Sequence, residues 1–435
     1  SHLCLVSIAS YSSNLHFLPV GSVVDGKTYY VSKSGNDKNS GLTESHPFKT
    51  IQHAANVVVA GSVVNVKAGE YDETVVIHIQ GNSKDGYITF QNYKQDKVII
   101  TGKSAKTPAP DGSLCIIYLQ NKSYIKIIGF EIKTLKATDG SGIRINGAGS
   151  HIEIRSNKIH DIRGGGKSGG AMGITVYNTN AKMSLSQIII DSNEVYDCDP
   201  AWSEALTLNG NIEQFQITRN RVHDVNNIGI DMIGGESWTG KQIVRNGICA
   251  NNTVWNIHSV YDQSAAAIYV DGARNITIQY NEVYRSDFGM EIGAENKGII
   301  ASQVVVKNNF IHDNDQLGLA FGGYDSKRGR VQNCIFEYNV LQSNDRKHSG
   351  FGEIVVSFAS KNKVQYNVIQ PNDQNIVLST NAAGNVNNIF DYDRYILRNG
   401  NTADDLIFEW GNKKYNGLSR FQKKTKQELH AVVRT

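Results

Sequence analysis

The chain has 435 residues, with 44 lysines and arginines against 41 aspartates and glutamates, a formal charge of +3. A balance so close to neutral, with no basic run interleaved with aromatics, excludes the electrostatic footprint of a nucleic-acid binder. The 41 glycines and only 6 prolines fit a chain of many tight turns between regular segments.

Five cysteines (Cys4, Cys115, Cys198, Cys249 and Cys334) show no C-x-x-C spacing, which argues against zinc and redox motifs. Their odd number and wide scatter argue against a disulfide framework. Cys249 and Cys334 fall on expected strands, where a buried thiol acts as a small apolar side chain.

Taken in order, residues 3–13 (LCLVSIASYSS) are apolar but too short to cross a bilayer, and read as the tail of a secretory signal. No other stretch is long and apolar enough to span. The expectation is a secreted or periplasmic protein with residues 1–26 as leader or extension. A helix is expected at 50–59, with Ile51, Ala54, Ala55 and Val58 on one face, in a position to cap the end of a repeat array. Just before it, the loop GNDKNSG (35–41) offers oxygen ligands to calcium, or forms a simple turn.

From residue 63 onward, short alternating segments follow one another. One series contains GIRIN (142–146), GITVY (173–177), ALTLN (205–209), GIDMI (229–233), AIYVD (267–271), GMEIG (289–293), GLAFG (318–322) and EIVVS (353–357). A second includes HIEIR (151–155), FQITR (215–219) and NITIQ (275–279), and each member is followed by an asparagine. Asn157, Asn193, Asn220, Asn252, Asn281, Asn309, Asn339 and Asn367 recur every 27 to 36 residues, a period that marks a repeat array. Asparagine tolerates left-handed backbone geometry, and its amide can bond to neighbouring copies. The fold class is therefore all-β, a parallel solenoid.

The strand series, the asparagine turn and the opening GNDKNSG…PFKTIQHA resemble the right-handed parallel β-helix proteins of the pectate-lyase-like superfamily. The resemblance covers roughly residues 27–400, and it implies a carbohydrate-active protein holding a glycan along the outer face of one strand series. Residues 401–435 are similar to the C-terminal packing segment of such proteins, with a hairpin at 407–415 and a helix at 418–425.

If Ile230 and Met232, Ile268 and Val270, and Met290 and Ile292 face the core, the residues between them point outward. Outward rows then carry Arg144, Tyr177, Asn209, Asp231, Tyr269, Asp271 and Glu291. Coils stack about 4.8 Å apart, so Asp271 and Glu291 are one coil apart, and Asp231 and Glu291 two. Paired carboxyl groups about 5 Å apart suit retaining glycoside hydrolysis, and about 6.5–9.5 Å suit inversion. Glu291 is the candidate general acid and Asp271 the nucleophile or base, with Asp231 exchanging roles with it if the reaction inverts. All three are expected to face solvent.

Arg144, Tyr177, Asn209, Glu204, Trp238, Tyr269 and Tyr324 are candidate substrate-binding residues. Glu236, Asp262 and Glu295 lie near the same strands and can join the cluster. The excursions GGESWTGKQIVRN and NIHSVYDQSA would wall the site. The recurring His160, His223 and His312 read as structural, and no metal spacing appears. Catalysis by carboxyl groups requires no cofactor, with calcium as an option. The leading function is a glycoside hydrolase acting on a poly- or oligosaccharide. A uronate polysaccharide lyase is the alternative; the resemblance implies a lysine or arginine base for it, and the outward rows offer Arg144, Tyr177 or Tyr269 but no lysine, while a non-catalytic glycan-binding solenoid is a third.

Overall fold

The computed structural model describes residues 26–380 and 384–434. The leader-like segment at 1–25, with Cys4, lies outside the described residues. Three long sheets run the length of the molecule, of 13, 15 and 13 strands among the described residues, and nearly every pairing is parallel. Each coil contributes one strand to each sheet: Ala266–Asp271 to the first, Arg274–Gln279 to the second and Glu282–Tyr284 to the third, before Phe288–Ala294 returns to the first. The chain is a right-handed parallel β-helix.

Hydrophobic alternation dictates the register. Ile174, Leu206, Ile230, Ile268, Met290 and Leu319 stack in one inward column of the first sheet, each at most 1% exposed. A one-residue slip would turn the whole column to solvent, so the pairing is strongly specified.

The recurring asparagines form a buried ladder. Asn281 donates from its backbone N and its Nδ2 to Asn309 Oδ1, each at 3.0 Å, and Nδ2 also reaches Cys249 O at 3.0 Å. The left-handed residue at this bend is not the asparagine but the one before it: Ser192, Arg219, Asn251, Tyr280 and Tyr366 all have φ between 54° and 58°. Asparagine is required for its amide, which satisfies buried polar groups of three coils, rather than for its backbone. The ladder ends at Asp393, whose Oδ1 accepts from Asn367 N and Nδ2 at 2.7 and 2.9 Å.

The early helix is Ile51–Val57, with Thr50 as its N-cap and Ile51, Ala54 and Ala55 buried. Asp37 of the GNDKNSG loop accepts from Lys49 N, Thr50 N and Thr50 Oγ1, tying the loop to the helix start. Beyond residue 400 the hairpin Ile407–Trp410 and Lys413–Asn416 extends the first sheet, the helix Leu418–Thr425 buries Leu418 and Phe421, and Val432–Arg434 joins the third sheet. The last 35 residues thus continue the solenoid's own sheets as well as covering its end. Cys115, Cys198, Cys249 and Cys334 are free and buried.

The three repeating histidines occupy equivalent places on the third sheet and stack with Tyr196, Trp255 and Tyr284. The His160–Tyr196, Tyr196–His223 and His223–Trp255 centroids are 4.7, 4.9 and 4.1 Å apart. They form an aromatic ladder on a different sheet from the candidate carboxylates.

Candidate active site

The outer face of the first sheet is the floor of a groove. Its strands Glu204–Gly210, Ile228–Ile233, Ala266–Asp271 and Phe288–Ala294 place two outward columns side by side. The first column runs Thr175, Thr207, Asp231, Tyr269, Glu291 and Ala320 in direct register. The second holds Tyr177 beside Asn209, and farther along Asp271 beside Gly293. Asp231 and Glu291 therefore share a column with Tyr269 between them, whereas Asp271 is diagonal to Glu291.

Loops leaving the two edges of the floor build walls. Where the chain passes from the first to the second sheet, Glu236, Trp238 and Glu295 rise on one side, and Asn296 Nδ2 joins two of these loops by donating to Glu236 Oε1 at 3.3 Å. On the other side stand Trp202 and Tyr261, with ring centroids 4.6 Å apart. Asp287 Oδ2 accepts from Ser259 N at 2.8 Å and Ala265 N at 3.3 Å, which clasps both ends of the loop that carries Tyr261.

Between the walls lie two adjoining cavities of ≈ 360 Å³ each, which share Trp202, Ile228, Tyr269 and Glu295 and so form a continuous groove. Glu204, Asp231, Glu236, Asp271 and Glu295 line one part, and Asp262 and Glu291 line the other.

The walls change the environment expected for the carboxyl groups. Asp231 and Asp271 point away from the core yet are only 2% and 4% exposed, and Glu291 is half-buried. They face a covered groove and not open solvent, because the insertions fold back over the strand face.

Burial, and then the charge of Glu295, pushes Glu291 up to about 8. Glu204 is pushed up to about 8 chiefly by burial, with Glu295 and Glu236 adding to it. Burial is also the main cause for Asp231 and Asp271, both raised well above the usual carboxylate range with crowding by neighbouring acids. Asp271 accepts the backbone N–H of Glu295 at 2.9 Å, a bond that favours its ionised form. Tyr269 leans across Gly293, where a Cβ would lie 2.9 Å from its ring and hydroxyl, and donates to Glu295 Oε1 at 3.1 Å. Glycine leaves room for that ring.

Of the residues singled out in the sequence, Tyr177, Asn209, Glu204, Trp238 and Tyr269 line the groove together with the three acids, and Tyr324 stands at its far end, 58% exposed. Arg144 lies apart from both cavities. Only 3% exposed, it is held by Asp139 at 2.7 Å and Asp111 at 3.3 Å, and packs against the Tyr177 ring. Its guanidinium supports the groove's end instead of reaching into it. Asn227 and Ser264 line the groove from outside the paired strand positions, and Phe288 from the first residue of its strand; none of the three was singled out in the sequence.

Away from the groove, His258, Asp287 and Asp315 bring ligand-type atoms within 4.8 Å of one another. Both Asp287 oxygens are engaged, by His258 Nδ1 at 2.9 Å and by the two loop amides, and Asp315 pairs with Lys347 at 2.9 Å. This group works as a clasp beneath the wall loop.

Comparison with known proteins agrees with the architecture. A family model described as "Right handed beta helix region" matches residues 246–409, and one described as "Protein of unknown function (DUF1565)" matches residues 33–280. The Bacillus subtilis (strain 168) protein described as "Uncharacterized protein YwoF" is 34% identical over 420 residues, 94% of this chain and 87% of that protein. Among solved structures, the Streptococcus pneumoniae surface adhesin PfbA matches with a TM-score of 0.52 and 13% identity, covering 84% of this chain and 89% of that one. A GH136 lacto-N-biosidase from Eubacterium ramulus matches with a TM-score of 0.50 and 15% identity, covering 94% and 68%. At these identities the likeness is one of fold. Among the described residues, no helix is long and apolar enough to cross a membrane.

Proposed function

The chain belongs to the DUF1565 family, and we propose that it is a carbohydrate-active enzyme that hydrolyses glycosidic bonds in the groove over its first sheet. The observation that carries this reading is the convergence of Asp231, Asp271 and Glu291 on one covered strand face, in a groove rimmed by exposed Trp202, Trp238 and Tyr324. Hydrolysis needs one carboxyl group that holds a proton near neutral pH and another that gives up its own.

Glu291 suits the first task, raised to about 8 by burial and by Glu295. Asp271 is assigned the second, because the Glu295 amide favours its ionised form against the burial that raises it. In the proposed reaction Glu291 passes its proton to the leaving glycosidic oxygen. Asp271 either attacks the sugar carbon or takes a proton from the attacking water. Asp231, across Tyr269 from Glu291 and about 10 Å away by strand spacing, is the base if the reaction inverts. The Trp202 and Trp238 faces supply apolar surface for sugar rings, and a substrate that fills the groove excludes water from the acids.

Fold relatives support the reading only in that the β-helix scaffold is shared with a GH136 lacto-N-biosidase. The test is to incubate the protein with a panel of polysaccharides and follow both new reducing ends and the ultraviolet absorbance of unsaturated uronates. Reducing ends without that absorbance are expected. The absorbance signal would mean β-elimination instead, and neither signal, with glycan retained, would mean a binding solenoid.

A further inference from the structure

We infer that the groove takes an uncharged glycan, whose hydroxyl groups donate to its floor, and rejects polymers of uronic or sulfated sugars. The inference deepens the reading of the groove as a glycan site and rests on it.

The first observation is a set of buried polar atoms without partners. Asn209 Oδ1 and Asp231 Oδ1 make no hydrogen bond, in residues 4% and 2% exposed, and both residues line the groove. Both oxygens can accept, and a buried acceptor without a donor is destabilising. They call for a ligand that brings O–H donors. A sugar hydroxyl does so, while a carboxylate or sulfate brings acceptors only.

The second observation is the charge of the lining. Seven carboxyl groups face the groove, and among the described residues none of them forms an ion pair. The nearby cations stand off the floor, one locked outside the groove and two at its rim. Arg144 is locked between Asp139 and Asp111 outside the cavities. Arg328 lies over the Tyr324 ring at 4.0 Å and pairs with Asp325. Lys167 sits over Trp202 and Tyr261 at 5.9 and 5.5 Å, on the rim above the floor.

A uronate unit over Asp231 and Glu291 would bring a negative charge among acids already crowded enough to hold protons, with no side-chain cation on the floor to meet it. Whichever acids of the cluster are ionised would repel it, and like-charge juxtaposition in a covered site opposes binding. The floor likewise offers no side-chain cation to neutralise a uronate carboxylate during β-elimination. An ammonium-bearing sugar would be attracted, but it would draw the proton off Glu291 that the proposed acid role needs. An uncharged ring meets neither conflict.

The test uses the full-length protein on two sets of polymers, neutral (xylan, mannan, galactan, arabinan) and anionic (polygalacturonate, alginate, hyaluronate), scored for cleavage and for binding on a glycan array. A neutral substrate found this way is then oxidised at its primary hydroxyls to carboxylates, or sulfated where it has none. The expected result is cleavage or retention of neutral glycans, with kcat/KM or affinity falling about 100-fold on the charged derivative, and a gap that narrows as salt is added. Equal or better handling of uronate or sulfated chains overturns this inference and leaves the hydrolase reading standing. Indifference to every glycan, neutral and charged, overturns the glycan-site reading itself and this inference with it.

Discussion

Asp231 and Glu291 lie in one outward column of the first sheet, separated by the single coil that carries Tyr269. The Tyr269 ring is drawn aside over Gly293 by its bond to Glu295, and both acids line the groove. Parallel stacking sets residues from distant positions at about 5 Å intervals, so the coil number alone sets the spacing of a carboxyl pair.

Glu291→Gln and Asp271→Asn are expected to lower kcat by about 10²–10⁴-fold each, the range for loss of a positioned acid or base. The thermal midpoint should be unchanged or higher, because each change removes a crowded buried acid. A variant that cleaves at near wild-type rate takes that residue out of the mechanism.

The pH dependence follows from the direction of the shifts. Glu291 and Glu204 are raised to about 8 from ordinary values near 4.5. A carboxyl group raised on folding contributes stability that is fully present below its unfolded pKa and is lost as pH rises through its folded pKa. Stability should therefore decline between about pH 4.5 and 8. Over the same upper range the rate should fall as the general acid loses its proton, with an apparent value belonging to the coupled cluster. Melting curves and kcat/KM profiles from pH 4 to 10 check both, and a rate still rising above about pH 9 excludes Glu291 as the acid.

The asparagine ladder carries a stability prediction. Asn281→Ala leaves Asn252 N and Nδ2 without their acceptor and Cys249 O without its donor, all in the buried turn. The expected loss is about 3 kcal/mol, read by chemical denaturation, with the groove's chemistry unaffected in the folded fraction.

At the other end of that ladder, Asp393 meets Glu428 of the C-terminal segment, and Tyr395 Oη donates to Glu428 at 2.7 Å. Burial raises both acids, Asp393 to about 6. Asp393's part of the contribution is lost as pH rises through about 6, while Glu428, raised well above its ordinary value, keeps the shared proton to higher pH. Glu428→Gln replaces the proton with an amide donor. It should flatten the dependence of thermal stability on pH between about 4 and 7 relative to wild type, and an unchanged slope would count against the shared proton.

Trp202→Ala and Trp238→Ala should raise KM about 10-fold with kcat little changed, about 1.4 kcal/mol of uniform ring binding each. Both side chains are about half exposed on the rim, so their removal leaves the core intact. A loss confined to kcat would place them in the chemistry instead.

The repeat was written in the sequence because its physics is local. Alternation decides which side chains face the core, and one asparagine per coil decides where the chain bends, so the strand series, the closing hairpin and the helix Leu418–Thr425 could be read directly. Alternation likewise assigned Asp231, Tyr269, Asp271 and Glu291 to the outer face.

Tertiary structure decided how deeply those residues are covered and what stands beside them. Covering depends on where loops of unlike length fold back, which no period encodes, so acids expected in solvent are buried and Arg144 is locked away from the groove. The raised proton affinity of the acids arises only when chain segments some 90 residues apart converge under those walls, as Glu204 and Glu295 do.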